Sequence, residues 1–262
     1  MKFSTGLFIN ILNDNIDDWK KQIEFIDQLE NVGHIEVWLE YLDLSKENIK
    51  WLISKLSKYR LIVHGPFTNL SLLSIHENVN KASVNTIKRA IDISVELGAG
   101  IITVHGGSYP FFCKKDEVNN QFLINIKNLI KYADNRIDVV IENLSNKRGV
   151  TVSYPASLHE IGNIKKSMTS SLFTLDIGHC IQNGEIEYGH FISEYKESIK
   201  NIHIHNAKVH GKSHYGFNKK GDVSIFDIIS ILQKVDYSNF LTLEIIDKED
   251  IKETWKLLDM CS

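Results

Sequence analysis

Short apolar runs alternate along the chain with longer segments in which apolar residues recur every three or four positions. The short runs are typical of strands that are buried on both faces, and the longer segments are typical of amphipathic helices. This pattern predicts eight strands, at residues 3–11, 34–39, 60–64, 100–105, 138–142, 171–176, 201–205 and 240–245.

A helical segment follows each predicted strand. We expect one helix over residues 155–164, with Pro155 near its first turn, and another over residues 186–199. Ser224 and Asp227 have the spacing of a capping box and predict the start of a further helix.

Strand–helix units that repeat about every thirty residues are typical of a (β/α)8 barrel. We therefore predict an α/β fold, with residues 1–262 forming a single TIM-barrel domain. A doubly wound sheet is the competing architecture. It would not explain the residues that stand at the strand ends.

From the third strand onward, each predicted strand has a residue that can bind a metal at its end or within two residues of it. The six residues are His64, His105, Glu142, Asp176, His203 and Glu244. His179 follows Asp176 by three positions, and His214 lies in the loop after the seventh strand. In a barrel the carboxyl ends of all strands open on one face, so we expect these side chains to converge there.

A mixture of imidazoles and carboxylates suits Zn²⁺, Mn²⁺, Fe²⁺ or Co²⁺. Taken singly, each residue has a plainer explanation: a lone histidine is more often a packing residue, and Asp176 could cap a helix. Placing so many ionisable groups together without a cation would be costly, so their joint placement predicts a metal site. We interpret His34, His76, His159 and His190 as surface or packing residues because they lie away from the strand ends.

Composition adds little that points to a macromolecular partner. The chain has 262 residues, a net charge of −3 and 43% hydrophobic residues, which does not indicate a nucleic-acid or membrane partner. Cys113, Cys180 and Cys261 are far apart and lack a C-x-x-C motif, so we predict reduced thiols. No secretory leader is recognisable, and a cytoplasmic location is the expectation.

Several segments carry a family resemblance. They are residues 63–70, 103–107, 141–143, 175–179, 203–208 and 243–244. Together they resemble the xylose isomerase-like TIM-barrel superfamily, which contains sugar isomerases and epimerases and also abasic-site nucleases of the endonuclease IV type. The resemblance extends over nearly the whole chain.

The isomerase branch implies one divalent metal held by Glu142, Asp176, His203 and Glu244, with His179 on the substrate. The nuclease branch implies three zinc ions and nine ligands. Eight of these ligands are matched, by His64, His105, Glu142, Asp176, His179, His203, His214 and Glu244. The ninth, an aspartate, falls on Lys212, which replaces an anionic ligand with a cation.

The resemblance implies a divalent-metal-dependent isomerase or epimerase that acts on a sugar or sugar phosphate through Glu142, Glu244 and His179. Phe67 and Lys208 are candidates for substrate binding. The alternative is a metal-dependent phosphodiesterase acting on abasic DNA. Only this alternative implies a nucleic-acid partner. Scarce arginines argue against it. A third alternative is a metal-binding barrel without catalysis, although paired glutamates favour an enzyme.

Overall fold

The computed structural model describes residues 2–146 and 150–261, and Met1, residues 147–149 and Ser262 lie outside the described residues. Ten strands are present in chain order: β1 (Ser4–Ile11), β2 (His34–Leu39), β3 (Arg60–His64), β4 (Ile101–Val104), β5 (Gly107–Pro110), β6 (Asp138–Glu142), β7 (Thr151–Tyr154), β8 (Leu172–Asp176), β9 (Ile199–Ile204) and β10 (Phe240–Leu243).

Eight of these strands form a closed parallel barrel in the order β1-β10-β9-β8-β6-β4-β3-β2. The register runs, for example, from Leu7 to Leu243 on one side of β1 and to Ile35 on the other. The predicted (β/α)8 barrel is therefore confirmed. Barrel closure places the carboxyl end of every barrel strand at one rim.

Helices surround the barrel and bury their apolar faces on it. They are α1 (Ile16–Ile26), α2 (Lys46–Leu56), α3 (Glu77–Glu96), α4 (Lys115–Ala133), α5 (Leu158–Ser167), α6 (Ile177–Gln182), α7 (Tyr188–Tyr195), α8 (Ile225–Lys234) and α9 (Lys248–Asp259). None of the described helices combines the length and hydropathy that a membrane span requires.

Two helix predictions need correction at their boundaries. α5 begins at Leu158 because Ser157 and Glu160 form a complete capping box there, three residues after Pro155. The helix expected at residues 186–199 is shorter, α7, and α6 precedes it directly after β8. At α8 the prediction holds, since the Ser224 side chain accepts a hydrogen bond from the Asp227 amide.

β5 and β7 form a two-stranded antiparallel sheet outside the barrel, which the apolar pattern did not predict. Gly107 pairs with Tyr154, and Pro110 pairs with Thr151. A Cβ atom on Gly106 would lie 2.1 Å from the Tyr154 carbonyl oxygen, so only glycine allows this approach. The sheet joins the segment after β4 to the segment after β6 beside the barrel rim.

The amino-terminal end of the barrel interior is filled by an apolar cluster of Ile62, Ile101 and Val140, against which Leu172 and Phe240 pack. Polar side chains fill the interior nearer the rim, where Thr103 and Thr174 are hydrogen-bonded at 2.8 Å. Apolar packing therefore fills part of the amino-terminal end of the barrel, beside the buried ring of His34, which contacts Phe240 at 4.9 Å between ring centroids.

His34 lies inside the barrel, fully buried, as the predicted packing histidine. Its Nδ1 lies 3.1 Å from Ser4 Oγ and its Nε2 lies 2.9 Å from Thr242 Oγ1. Gly6 leaves the space for this ring, because a Cβ atom there would lie 2.5 Å from it. Burial, assisted by the positive charge of Arg60, lowers the pKa of His34 to about 3, against the opposing effect of Glu36.

This low pKa predicts acid sensitivity. The folded state holds His34 neutral, whereas the unfolded state binds a proton below about pH 6.5, so stability is lost as pH falls below that value. We expect the free energy of unfolding to fall by about 1.4 kcal/mol per pH unit from this residue alone. Urea unfolding at pH 7.5 and pH 5 should show a loss of roughly 2 kcal/mol more in the wild type than in His34→Gln. An equal loss of unfolding free energy in the two proteins would contradict the low pKa of His34.

Candidate metal centre and active site

The strand-end residues converge on a cavity of about 920 Å³ at the carboxyl-terminal rim of the barrel. His64, His105, Glu142, His179, His214 and Glu244 all line it. Asp176 and His203 lie beneath, with no exposed surface. Convergence follows from barrel closure, since these residues come from strands or loops that are far apart in the chain.

A central cluster is formed by Glu142, Asp176, His203 and Glu244, whose potential ligand atoms lie within 4.8 Å of one another. His203 Nδ1 lies 3.2 Å from Glu142 Oε1 and 2.8 Å from Glu244 Oε1. In the barrel, β9 has β10 on one side and β8 followed by β6 on the other. Glu244 follows β10 and Glu142 ends β6, so this order places His203 between the two glutamates. The two carboxylates thus face one imidazole nitrogen.

A second cluster shares Glu142 with the first. Glu142 Oε2 lies 3.1 Å from His64 Nε2 and 3.0 Å from His105 Nε2, and the two ring nitrogens are 3.1 Å apart. Glu142 therefore presents one oxygen to each cluster.

A third cluster contains His179, His205 and His214. His205 was not predicted as a site residue; the ring takes the space that Gly178 leaves, where a Cβ atom would lie 2.0 Å from it. The His203-x-His205 spacing was an available signal, because alternate residues of a strand face the same way. Lys212 is absent from the cavity lining, and His210, which lines it, instead contacts the Gln182 carbonyl oxygen through Nδ1 at 3.0 Å.

Backbone carbonyl groups orient three of the histidines. Nδ1 of His64 lies 2.9 Å from the Gly65 oxygen, Nδ1 of His179 lies 2.9 Å from the Asn143 oxygen, and Nδ1 of His214 lies 3.1 Å from the Glu244 oxygen. A carbonyl oxygen can only accept, so each Nδ1 carries a proton, and in the neutral ring each Nε2 presents a lone pair to the cavity. Metal-binding histidines are commonly oriented in this way.

The donor set fits a divalent cation. In the neutral ring, the lone pair of His64 Nε2 would meet the carboxylate of Glu142, an arrangement of two acceptors. Burial opposes a proton on Nε2, but Glu142 favours it by raising the pKa of His64, and either this proton or a cation in its place would relieve the contact. Among the described residues, no contact of hydrogen-bond geometry satisfies Asp176 Oδ2 or Glu244 Oε1, although both atoms are buried and His203 Nδ1 lies 2.8 Å from the latter. No lysine or arginine lines the described part of the cavity to balance these carboxylates.

Charges within the cluster shift its pKa values in opposite directions. Burial favours the neutral form of Glu142, but the positive charges of His203 and His105 outweigh it and hold the carboxyl pKa well below its usual range. Burial likewise opposes protonation of His203, but Glu244, Glu36 and Glu142 raise its pKa well above the ordinary value. Glu142 therefore stays ionised, and a positive charge is favoured beside it.

Of the two predicted substrate contacts, the structure brings one to the cavity. The Phe67 ring lies over His105, with ring centroids 4.8 Å apart, and the Glu40 carboxylate holds its loop by accepting from the Phe67 amide at 2.9 Å. Lys208 is exposed and is not among the lining residues, so the expectation that it reaches a substrate has no support here.

Solved structures of the same fold include several sugar epimerases. A D-tagatose 3-epimerase-like protein aligns with a TM-score of 0.83 and 23% identity, covering 100% of this chain and 97% of that one. D-allulose 3-epimerase from Methylomonas sp. aligns with a TM-score of 0.76 and 17% identity, covering 98% of this chain and 90% of that one. At these identities the alignments establish the fold.

Among curated relatives, an uncharacterized protein of Methanocaldococcus jannaschii is 28% identical over 235 residues, which are 82% of this chain and 78% of that protein. A second uncharacterized protein of the same organism is 24% identical and covers 98% of this chain and 94% of its own. The family model described as "Xylose isomerase-like TIM barrel" matches residues 22–260. The chain therefore belongs to the xylose isomerase-like TIM-barrel family, as its strand-end motifs indicated.

Proposed function

We propose that this protein is a divalent-metal-dependent isomerase or epimerase of a sugar or sugar phosphate. The observation that carries the proposal is the placement of two buried glutamates, Glu142 and Glu244, on either side of His203 at the floor of an open cavity. The sugar epimerases among the structures of the same fold support the choice of substrate class.

The central cluster of Glu142, Asp176, His203 and Glu244 would hold the cation. When bound, a divalent cation there would act as a Lewis acid: it would polarise the substrate carbonyl and stabilise the negative charge that develops on the carbonyl oxygen. Three carboxylates and one imidazole suit Mn²⁺, Zn²⁺, Fe²⁺ or Co²⁺.

Glu142 and Glu244 would carry the proton transfers. One carboxylate removes the proton from the carbon next to the carbonyl, and the electron pair of the broken C–H bond moves toward the carbonyl oxygen. In an epimerase the other glutamate returns a proton to the opposite face of the same carbon. In an aldose–ketose isomerase a proton returns to the former carbonyl carbon, while the hydroxyl of the deprotonated carbon gives its proton to the former carbonyl oxygen and becomes the new carbonyl. His179, with its Nε2 turned to the cavity, would orient a substrate oxygen, and Phe67 would form an apolar wall.

A second candidate function rests on one specific observation, the His64–His105–Glu142 cluster. A cation held there as well would engage Glu142 Oε2, and this carboxylate could no longer accept a proton from a sugar. Paired cations are instead suited to phosphodiester hydrolysis, in which they activate water and stabilise the leaving oxygen. The number of bound ions therefore distinguishes the two candidates.

Metal content and hydrogen exchange test the proposal together. We expect about one divalent ion per chain by elemental analysis, and incorporation of solvent deuterium next to the carbonyl of at least one sugar or sugar phosphate in a panel followed by NMR. Two or three ions per chain, together with chelator-sensitive incision of an abasic-site duplex, would replace the isomerase with the phosphodiesterase. Bound sugar without exchange would indicate a binding protein.

A further inference from the structure

Beneath the central cluster, Glu36 is a carboxylate with no exposed surface. Its oxygens lie 3.0 and 3.1 Å from His203 Nε2, and Asn201 Nδ2 donates to Glu36 Oε2 at 2.9 Å. The partner in its ion pair is His203, a candidate metal ligand, and not a lysine or arginine. Glu36 therefore faces His203 on the side opposite Glu142 and Glu244.

The hydrogen-bonded contacts continue from Glu36 through the barrel interior. Thr242 Oγ1 lies 3.1 Å from Asn201 Oδ1, and His34 Nε2 lies 2.9 Å from Thr242 Oγ1. Ser4 Oγ lies 3.1 Å from His34 Nδ1 and completes the series. This series of five hydrogen-bonded side chains, which we call the interior chain, consists of Ser4, His34, Thr242, Asn201 and Glu36.

The charge of Glu36 fixes the direction of every donor in the interior chain. An ionised carboxylate only accepts, so Asn201 must present its amide N–H to Glu36 and its oxygen to Thr242. The Thr242 hydroxyl donates either to Asn201 Oδ1 or directly to Glu36, and in both cases its oxygen accepts from His34 Nε2–H. His34 Nδ1 is left with a lone pair, to which the Ser4 hydroxyl donates.

The same reasoning applies to His203. Its Nε2 must carry a proton to donate to Glu36, so a neutral His203 presents the lone pair of Nδ1 to the gap between Glu142 and Glu244. The opposite tautomer would direct an N–H into that gap and exclude a cation. We propose that Glu36 is a positioning residue that selects the metal-binding tautomer of His203.

An uncharged side chain of the same size would fill this space without burying a charge, which is costly in a protein interior. Glutamine, however, would place an NH₂ group at one of the two oxygen positions that face His203 Nε2, and this group would favour a lone pair on Nε2. The presence of a carboxylate at position 36 is therefore explained by its control of where the protons of Asn201 and His203 lie, and not by packing. This inference rests on the metal-binding part of the proposed function and is independent of the reaction.

Zinc titration of metal-free protein tests the role of Glu36. We expect Glu36→Gln to raise the Kd for Zn²⁺ by about 10- to 100-fold, the effect typical of losing a carboxylate behind a ligand histidine. Glu36→Asp retains the charge and should recover part of the affinity. Glu24→Gln, which changes an exposed glutamate on α1, is the matched control and should bind as the wild type does. A Kd within twofold of wild type in Glu36→Gln would overturn the proposal.

Imidazole ¹⁵N chemical shifts give a readout that a packing role would not move. The wild type should show His34 protonated on Nε2, and zinc-loaded wild type should show His203 protonated on Nε2. In Glu36→Gln we expect His34 to populate the Nδ1–H tautomer, whether or not zinc is present. An unchanged His34 tautomer would overturn the proposal. Wild type that binds no zinc would instead refute the proposed function, and the His34 signal would still decide the role of Glu36.

Discussion

Glu142→Gln and Glu244→Gln are each expected to lower kcat by about 10³-fold, the usual contribution of a general acid or base. Glutamine retains the size of glutamate and an oxygen that can face the cation, but it cannot accept the substrate proton. In the proposed mechanism the two residues act in succession on one substrate, so the double variant should be little worse than either single variant. Steady-state kinetics at saturating metal, with circular dichroism to confirm folding, measures the effect.

Glu194→Gln on the exposed side of α7 is the matched control, and it should retain wild-type kcat. Deuterium exchange into the substrate adds a sharper criterion. A variant that lacks one glutamate can still exchange with solvent the substrate proton that the remaining glutamate removes, even though it no longer completes the reaction. Near-normal turnover in either single variant would refute the assignment of the acid–base pair.

Removal of the bound cation by a chelator is expected to lower the midpoint of thermal unfolding by roughly 10 °C. A cation present at about 1,000 times its Kd contributes about 4 kcal/mol, and a chain of this size shifts by about 2–4 °C per kcal/mol. The loss arises because buried carboxylates are left to repel one another at the end of the barrel. Differential scanning calorimetry with and without chelator measures the shift, and added Zn²⁺ or Mn²⁺ should restore it.

A double variant with Asp176→Asn and His203→Asn serves as the control for this experiment. It lacks two ligands of the central cluster, so its midpoint should not respond to the chelator. A midpoint that is the same in the wild type with and without chelator would contradict a cation at the central cluster.

The barrel could be predicted from sequence because its strands are buried on both faces and therefore stand out as apolar runs. β2 and β3 match their predicted bounds for this reason. The β5–β7 sheet could not be predicted in the same way. Its segments, GSYP and TVSY, are short, carry no apolar run and pair only because the barrel brings two distant loops together.

The site was predictable where a polar residue ends an apolar strand, as at His64 and Asp176. Glu36 was not predicted as a site residue because it lies in the middle of β2, where a polar side chain can face either the barrel interior or the surrounding helices. Only the tilt and register of the closed barrel place it against His203, which is 167 positions away in the chain. His205 was not predicted because His203, two positions earlier, had already been chosen as the metal-binding residue at the end of this strand.

The β5–β7 sheet has a consequence for how this site could change. Four of its residues line the cavity: Gly107, Ser108, Thr151 and Ser153. Gly107 pairs with Tyr154 through the backbone at a point where Gly106 admits no side chain. A longer or shorter segment after β4 would lose its partner unless the segment after β6 changed length with it. Directed evolution of a new substrate range would therefore progress faster by exchanging both segments as one cassette than by varying either alone.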